Sequence, residues 1–192
     1  MSAANQGANG PLLVVSLNAR LQPMHRGEIE DALDAYLAQH LPRAAVVGGG
    51  TELGADRSGP MSCEVEIQMR SRDPAELRMV VEALDRLGAP KGSRATVNGR
   101  DVARFGSAEG LARVLNGTDL PSEVYRTSDV NELIARLGQA LAGSGALLSW
   151  WEGPRTTSLH FYGKSFDEMR GRVEPVAAGH PLAQLSRIEQ IA

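Results

Sequence analysis

The stretch Leu17-Asn18-Ala19-Arg20-Leu21-Gln22-Pro23 closes one apolar run, and Leu115-Asn116-Gly117-Thr118-Asp119-Leu120-Pro121 closes another in the second half of the chain. After each comes an amphipathic helix pattern, two strand-like runs, a second helix pattern and a last strand. A unit written twice is the first thing to look for, because a missed repeat misassigns the whole fold.

Around the first stretch, Leu13, Val15, Leu17 and Ala19 alternate with Ser16, Asn18 and Arg20, the period-2 mark of a half-covered strand. Residues 26–41 then place Ile29, Ala32, Leu33, Tyr36, Leu37 and Leu41 on one helical stripe, and Pro42 stops the helix. A short strand at 44–47 runs into Gly48-Gly49-Gly50, expected to turn, and a mobile loop follows to Pro60. Cys63, Val65, Ile67 and Met69 alternate with Glu64, Glu66 and Gln68 in the clearest strand of the chain. Asp73-Pro74-Ala75-Glu76 supplies a cap, a proline at the first helical position and an acid in the first turn. That helix ends at Gly88, and 93–98 is the closing strand.

The second half repeats the order. A strand at 110–116 is followed by three overlapping caps, Thr127, Ser128 and Asp129, and a helix carrying Val130, Leu133, Ile134, Leu137 and Leu141. Strands at 146–151 and 156–162 make a hairpin around Glu152-Gly153-Pro154-Arg155. Ser165-Phe166-Asp167-Glu168 is a capping box for a helix that Pro175 should kink, and 184–191 is the last strand.

The fold class is therefore α+β: a tandem duplication of a ferredoxin-like β-α-β-β-α-β unit, giving two four-stranded antiparallel sheets, each with two helices on one face. The boundaries expected are a disordered N-terminus over 1–10, a first unit over 11–98, a connector over 99–109 and a second unit over 110–192. Helices cover one face of each sheet, so the other face is where function is to be sought.

Composition narrows the class. The 192 residues are 42% hydrophobic and 22% charged, with a net charge of −3, so no basic field exists to hold nucleic acid. Cys63 is the only cysteine and can form no internal disulfide. The N-terminal residues lack the basic and apolar regions of a signal peptide, and no run reaches the roughly 20 apolar residues of a membrane span. A cytoplasmic protein away from membranes is expected.

Individual motifs point to binding more than to chemistry. Neither Gly48 to Gly54 nor Gly88-Ala89-Pro90-Lys91-Gly92-Ser93 has the spacing of a phosphate-binding loop. His25, His40, His160 and His180 fall at no metal-ligand spacing, and Cys63 belongs to the apolar set of its strand, as a buried thiol would. Glu64 and Glu66 share one strand face with each other and with Arg20 of the neighbouring strand, which suggests a cross-strand ion pair. No catalytic residue, metal ligand or cofactor is assigned. Lys91, Arg94, Arg100 and Arg104 form a local basic stretch, read as solvated surface.

Five of the eight Phe, Trp and Tyr residues fall between Trp150 and Phe166. With Leu148, Trp150, Leu159 and Phe161 toward the helices, alternation puts Ser149, Trp151, His160 and Tyr162 on the other face and Glu152 and Arg155 at the hairpin tip. Trp, Tyr and Arg dominate binding hot spots, so Trp151, Glu152, Arg155, His160 and Tyr162 are the candidate partner-binding residues. The alternative is that Trp151 and Tyr162 pack against the first unit and join the two.

Arg20-Leu21-Gln22-Pro23, Arg26-Gly27-Glu28, Gly48-Gly49-Gly50-Thr51 and Gly88-Ala89-Pro90-Lys91-Gly92-Ser93 carry a resemblance across the first half. Phe105-Gly106, Glu109-Gly110-Leu111, Leu115 to Pro121 and Trp151-Glu152-Gly153-Pro154 carry it through the second. Together they resemble a family of functionally unassigned small bacterial cytoplasmic proteins, loosely similar to toxin-neutralising immunity proteins. That resemblance implies a non-enzymatic module whose protein partner is a toxin, its active site occluded by the bound protein. The other class of function is a small-molecule-binding or catalytic protein using the cleft between the repeats, with Thr51, Glu52, Asn116, Thr118 and Asp119 at its lip. A structural subunit of a larger assembly is a third.

Overall fold

The computed structural model of the chain describes residues 10–55 and 59–192. Its first half runs β1 (Leu12–Leu17), α1 (Pro23–His40), β2 (Ala45–Leu53), β3 (Pro60–Gln68), α2 (Pro74–Arg86), β4 (Ser93–Val97) and β5 (Arg100–Phe105). The second runs β6 (Glu109–Asn116), α3 (Ser122–Thr127), α4 (Val130–Ala140), β7 (Gly145–Glu152), β8 (Thr156–Gly163), α5 (Phe166–Ala178) and β9 (Arg187–Gln190). The strands form one sheet in the order β2-β3-β1-β4-β5 and a second in the order β7-β8-β6-β9, with every ladder antiparallel. This is a ferredoxin-like α+β architecture: in each sheet the first strand of its half lies centrally, between the third and the fourth.

Local chemistry sets the helix starts. Asp73 accepts a hydrogen bond from Ala75 N at 2.8 Å, Asp129 from Asn131 N at 2.8 Å, and Ser165 from Glu168 N at 3.3 Å. Helix α1 starts at Pro23, ahead of Arg26, because Gln22 is extended and proline suits the first turn. Each half has its own core. Leu33 and Leu37 of α1 meet Leu13, Val15, Val65 and Ile67, whereas Leu133 and Leu137 of α4 meet Leu111, Leu159 and Phe161. All four helix leucines are fully buried, and each such burial contributes about 1.5–3 kcal/mol.

Several expectations are corrected. Gly48-Gly49-Gly50 does not turn. It lies inside β2, with Gly48 opposite Glu66, Gly49 opposite Val65 and Gly50 opposite Glu64. A β-carbon on Gly49 would stand 2.4 Å from Glu30 Oε1 and 2.5 Å from the Glu64 carbonyl oxygen, so this glycine lets α1 lie close against the strand. The expected connector 99–109 contains β5, which pairs with β4 and makes the first sheet five-stranded. Residues 122–127 form a further helix, α3, which the repeated pattern does not include. Pro175, where a kink is expected, lies inside α5, which ends at Ala178. A bulge between Leu147 and Ser149 turns Leu148 away from its own helices, and it packs against the first core instead. The disordered N-terminus expected for 1–10 lies, Gly10 apart, outside the described residues, as do 56–58 of the loop expected to be mobile.

Candidate functional site

On the second hairpin Trp151, Arg155, His160 and Tyr162 have structural partners, and the last two are sealed. His160 and Tyr162 project from β8 toward the first half and are buried. Tyr162 Oη accepts the Arg20 backbone N–H at 2.7 Å, and His160 Nδ1 lies 3.0 Å from the Arg20 carbonyl oxygen. A carbonyl can only accept, so that ring nitrogen carries the proton. Burial pushes the His160 pKa down to about 4, against the opposing pull of its bond to Arg20, and raises that of Tyr162. Both are thus part of the junction between the halves and are not surfaces for a partner.

Other residues complete that junction. Gln22 N donates to Ser149 Oγ at 3.4 Å, Ser149 Oγ lies 3.2 Å from His25 Nδ1, and the Gln22 side-chain amide donates to the Trp150 carbonyl. Arg20 turns to Glu189 at 3.9 Å, not to Glu64, which takes the Ser16 hydroxyl at 2.8 Å. Trp151 is half-buried against Gly59, whose φ is +105° and whose β-carbon, if present, would lie 2.6 Å from the indole. The sequence motifs of the first half converge here. Asn18 Nδ2 donates to Lys91 O at 2.8 Å, and Arg26 bonds Glu30 at 2.8 Å and Thr51 Oγ1 at 3.1 Å.

The remaining candidates divide between two places. Thr51 also donates to Leu21 O at 3.2 Å, and Glu52 accepts from Ser62 Oγ at 2.8 Å, so both belong to the fabric of the first half. Asn116, Thr118 and Asp119 bind one another. Asn116 Oδ1 accepts from Thr118 N at 2.9 Å and Asp119 N at 2.7 Å, while Asp119 takes Asn116 Nδ2 at 3.0 Å and Thr118 Oγ1 at 2.9 Å. These bonds, that from Asn116 foremost, hold the Asp119 carboxyl below the usual range, and Arg155 joins it at 3.7 Å. Among the described residues the structure gives no hydrogen bond or ion pair between the two groups.

What it does build is a groove within the second half, about 690 Å³, between the β7–β8 hairpin and helices α3 and α4. Leu115, Ile134, Leu159 and Trp150 supply its apolar surface, and Asn116, Asp129, Asn131 and Glu152 supply polar groups. Its walls are fixed. Tyr125 Oη accepts Leu120 N at 3.0 Å and reaches the Asn116 carbonyl at 3.3 Å, and Gly117 N donates to Arg155 O at 2.8 Å. Among its lining residues only Asp129 and Glu152 are charged, and both are acidic. Trp150 is 38% exposed there, unusually open for an indole. Periodicity did place Trp150 on the helix side of the hairpin, but α3, which makes one wall, gave no helical stripe to read.

Cys63 is fully buried, with its thiol pushed up to about 12 by desolvation, which makes it unreactive. Among the described residues no three His, Cys, Asp or Glu side chains converge as a metal site requires, and no helix is long and apolar enough to cross a membrane.

No protein-family model matches the chain, and no curated protein matches it closely enough to count as a relative. Solved structures resemble it only distantly. A protein of unknown function from Galdieria sulphuraria is 11% identical, with 94% of this chain and 96% of that one covered and a TM-score of 0.31. The regulatory subunit of aspartate kinase from Thermus thermophilus is 16% identical, with 88% and 92% covered and a TM-score of 0.29. At such scores the likeness carries no functional argument.

Proposed function

We propose that the protein acts by binding, and that the groove between the β7–β8 hairpin and α3–α4 receives a basic, partly apolar segment of a partner protein. The observation that carries this is the lining: two carboxylates, Asp129 and Glu152, beside the open indole of Trp150, with no lysine, arginine or histidine among the lining residues. An arginine or lysine side chain would meet the carboxylates electrostatically and the indole through its π face. Its aliphatic stem would lie along Ile134 and Leu159. In the immunity setting that the sequence resembles, the segment would come from a toxin in the cytoplasm, held so that its active site is covered. The shared strand order of the two halves supports the further reading that the chain is one ferredoxin-like unit in tandem duplicate.

The test is calorimetric titration with a short peptide of alternating Leu and Arg, against the same peptide with Glu for Arg. Saturable binding of the basic peptide is expected, weakened about tenfold or more in Glu152→Gln, the scale of a lost charge-assisted hydrogen bond. Equal affinity for the acidic peptide, or an unchanged Glu152→Gln, would sink it.

The groove's volume is within the span of about 300–1,000 Å³ typical of small-molecule sites, so a small organic cation is the second reading. Thermal-shift measurement with such cations separates the two, since ligand at 100 times its dissociation constant adds about 2.7 kcal/mol.

A further inference from the structure

The face of the first sheet turned away from α1 and α2 is graded in charge. Ser16 of β1 stands opposite Glu64 of β3 on one side and Arg94 of β4 on the other, and Arg94 stands opposite Arg104 of β5. Residues directly opposite in an antiparallel ladder share a face, so one row crosses the sheet from Glu64 through Ser16 to Arg94 and Arg104. Glu66 lies in the adjacent row, and Glu52, opposite Ser62, extends the acidic side on β2. Acid therefore collects on β2 and β3, while on β4 and β5 the two arginines outnumber the one acid of that side, Asp101, opposite Thr96.

The basic side is not balanced within the chain. Arg104 has Asp101 at 3.3 Å, but among the described residues Arg94 makes no ion pair, although it faces a second arginine. Like charges directly opposite one another are destabilising. Glu66 on the other flank also makes no ion pair among the described residues. Val14, Ser16 and Thr96 line the centre of the face and Gly48 and Gly50 its edge strand β2, so no charged or aromatic side chain stands between the two flanks.

We propose that this face docks on the same face of a second copy of the chain, about a two-fold axis running along β1. Such an axis lays β3 of one copy over β4 of the other, and β2 over β5. With sheets packed about 10 Å apart, Glu64 and Glu66 of each copy then reach Arg94 of the other, and the contact is made twice, as an isologous interface requires. The same rotation superposes the strands carrying Val47 and Val102, which are 55% and 45% exposed. The charge order selects this axis. A two-fold axis across the strands would put β3 on β3 and stack acid on acid.

Sedimentation velocity at about 100 µM protein and about 0.05 M salt is the test, a regime where a surface ion-pair interface is least screened. The wild-type chain is expected at twice its 20.5 kDa mass, shifting toward one mass at about 0.5 M salt. Arg94→Glu alone, and Glu64→Arg with Glu66→Arg, should each sediment as monomers, with self-affinity lowered at least about tenfold. Mixed in equal amounts, the two variants should recover the dimer, because each then presents the charge the other lacks. A wild-type chain that stays monomeric under the first condition overturns the proposal outright. So does a dimer that both variants retain, or a mixture of folded variants that stays monomeric.

Discussion

Tyr162 holds Arg20: the phenol oxygen lies 2.7 Å from the Arg20 backbone nitrogen, across 142 positions of sequence. Two residues back on the same strand, His160 takes the carbonyl of that same residue at 3.0 Å. One strand of the second half thus satisfies both polar backbone groups of a residue that has just left β1. An irregular backbone segment buried under a sheet would otherwise leave those groups unpaired.

Tyr162→Phe removes the acceptor and leaves the Arg20 N–H buried. A loss of about 1–3 kcal/mol in unfolding free energy is expected by urea denaturation. Peptide affinity at the groove should not change, because Tyr162 faces the opposite side of the sheet from Leu159 and Trp150. Wild-type stability in this variant would mean the bond contributes nothing.

The His160 ring makes the junction sensitive to acid. Its folded pKa is about 4, below the ordinary value of 6.5, so the unfolded chain binds more protons between those values and stability falls as pH drops through that window. Above pH 6.5 the contribution is complete, on the order of 3 kcal/mol. Carboxylates also titrate below pH 5, so the comparison must be made against His160→Gln, which does not titrate. The difference in stability between pH 7 and pH 5 should shrink in that variant. An equal pH dependence in the two proteins would remove His160 as the cause.

Gly49 and Gly50 should respond oppositely to a methyl group. Gly49→Ala drives a β-carbon onto the Glu64 carbonyl, a backbone atom that cannot step aside, and overpacking of this kind costs about 1–3 kcal/mol. Gly50→Ala meets nothing within 4 Å and should stay within about 0.5 kcal/mol of wild type. Thermal unfolding of the pair measures both. Equal stability would mean α1 does not press on β2 as described.

These glycines also mark where sequence was a poor guide. Apolar periodicity was sufficient for β1, β3, α2 and α4, because each has one covered face and its pattern is imposed by burial. Gly48 to Gly50 have no side chains to alternate, so a strand made of them reads as a turn. Short α3 has no fully buried residue and left no stripe. Leu148 misled for a different reason: a bulge breaks strict alternation, and nothing local announces which residue is inserted. The groove was legible only in part. Trp150, Glu152, Asn116 and Asp129 were all noted, but in three separate contexts, since the hairpin, the β6 turn and the helix cap meet only through the fold of the second half.

The two halves should unfold together. Leu133→Ala opens a cavity in the second core alone and should cost about 2–5 kcal/mol. Yet Tyr162, a residue of the second half, is buried within the first core, and Leu148, Ile191 and Ala192 pack against it. Loss of the second core should therefore strip the first of part of its packing, so Leu133→Ala should lower a single transition. Tryptophan fluorescence follows the second half and far-UV circular dichroism follows both, and the two should coincide. Adding Tyr162→Ala removes the shared side chain and should separate them, with fluorescence melting first. Two transitions already present in the wild-type chain would show that the junction does not couple the cores.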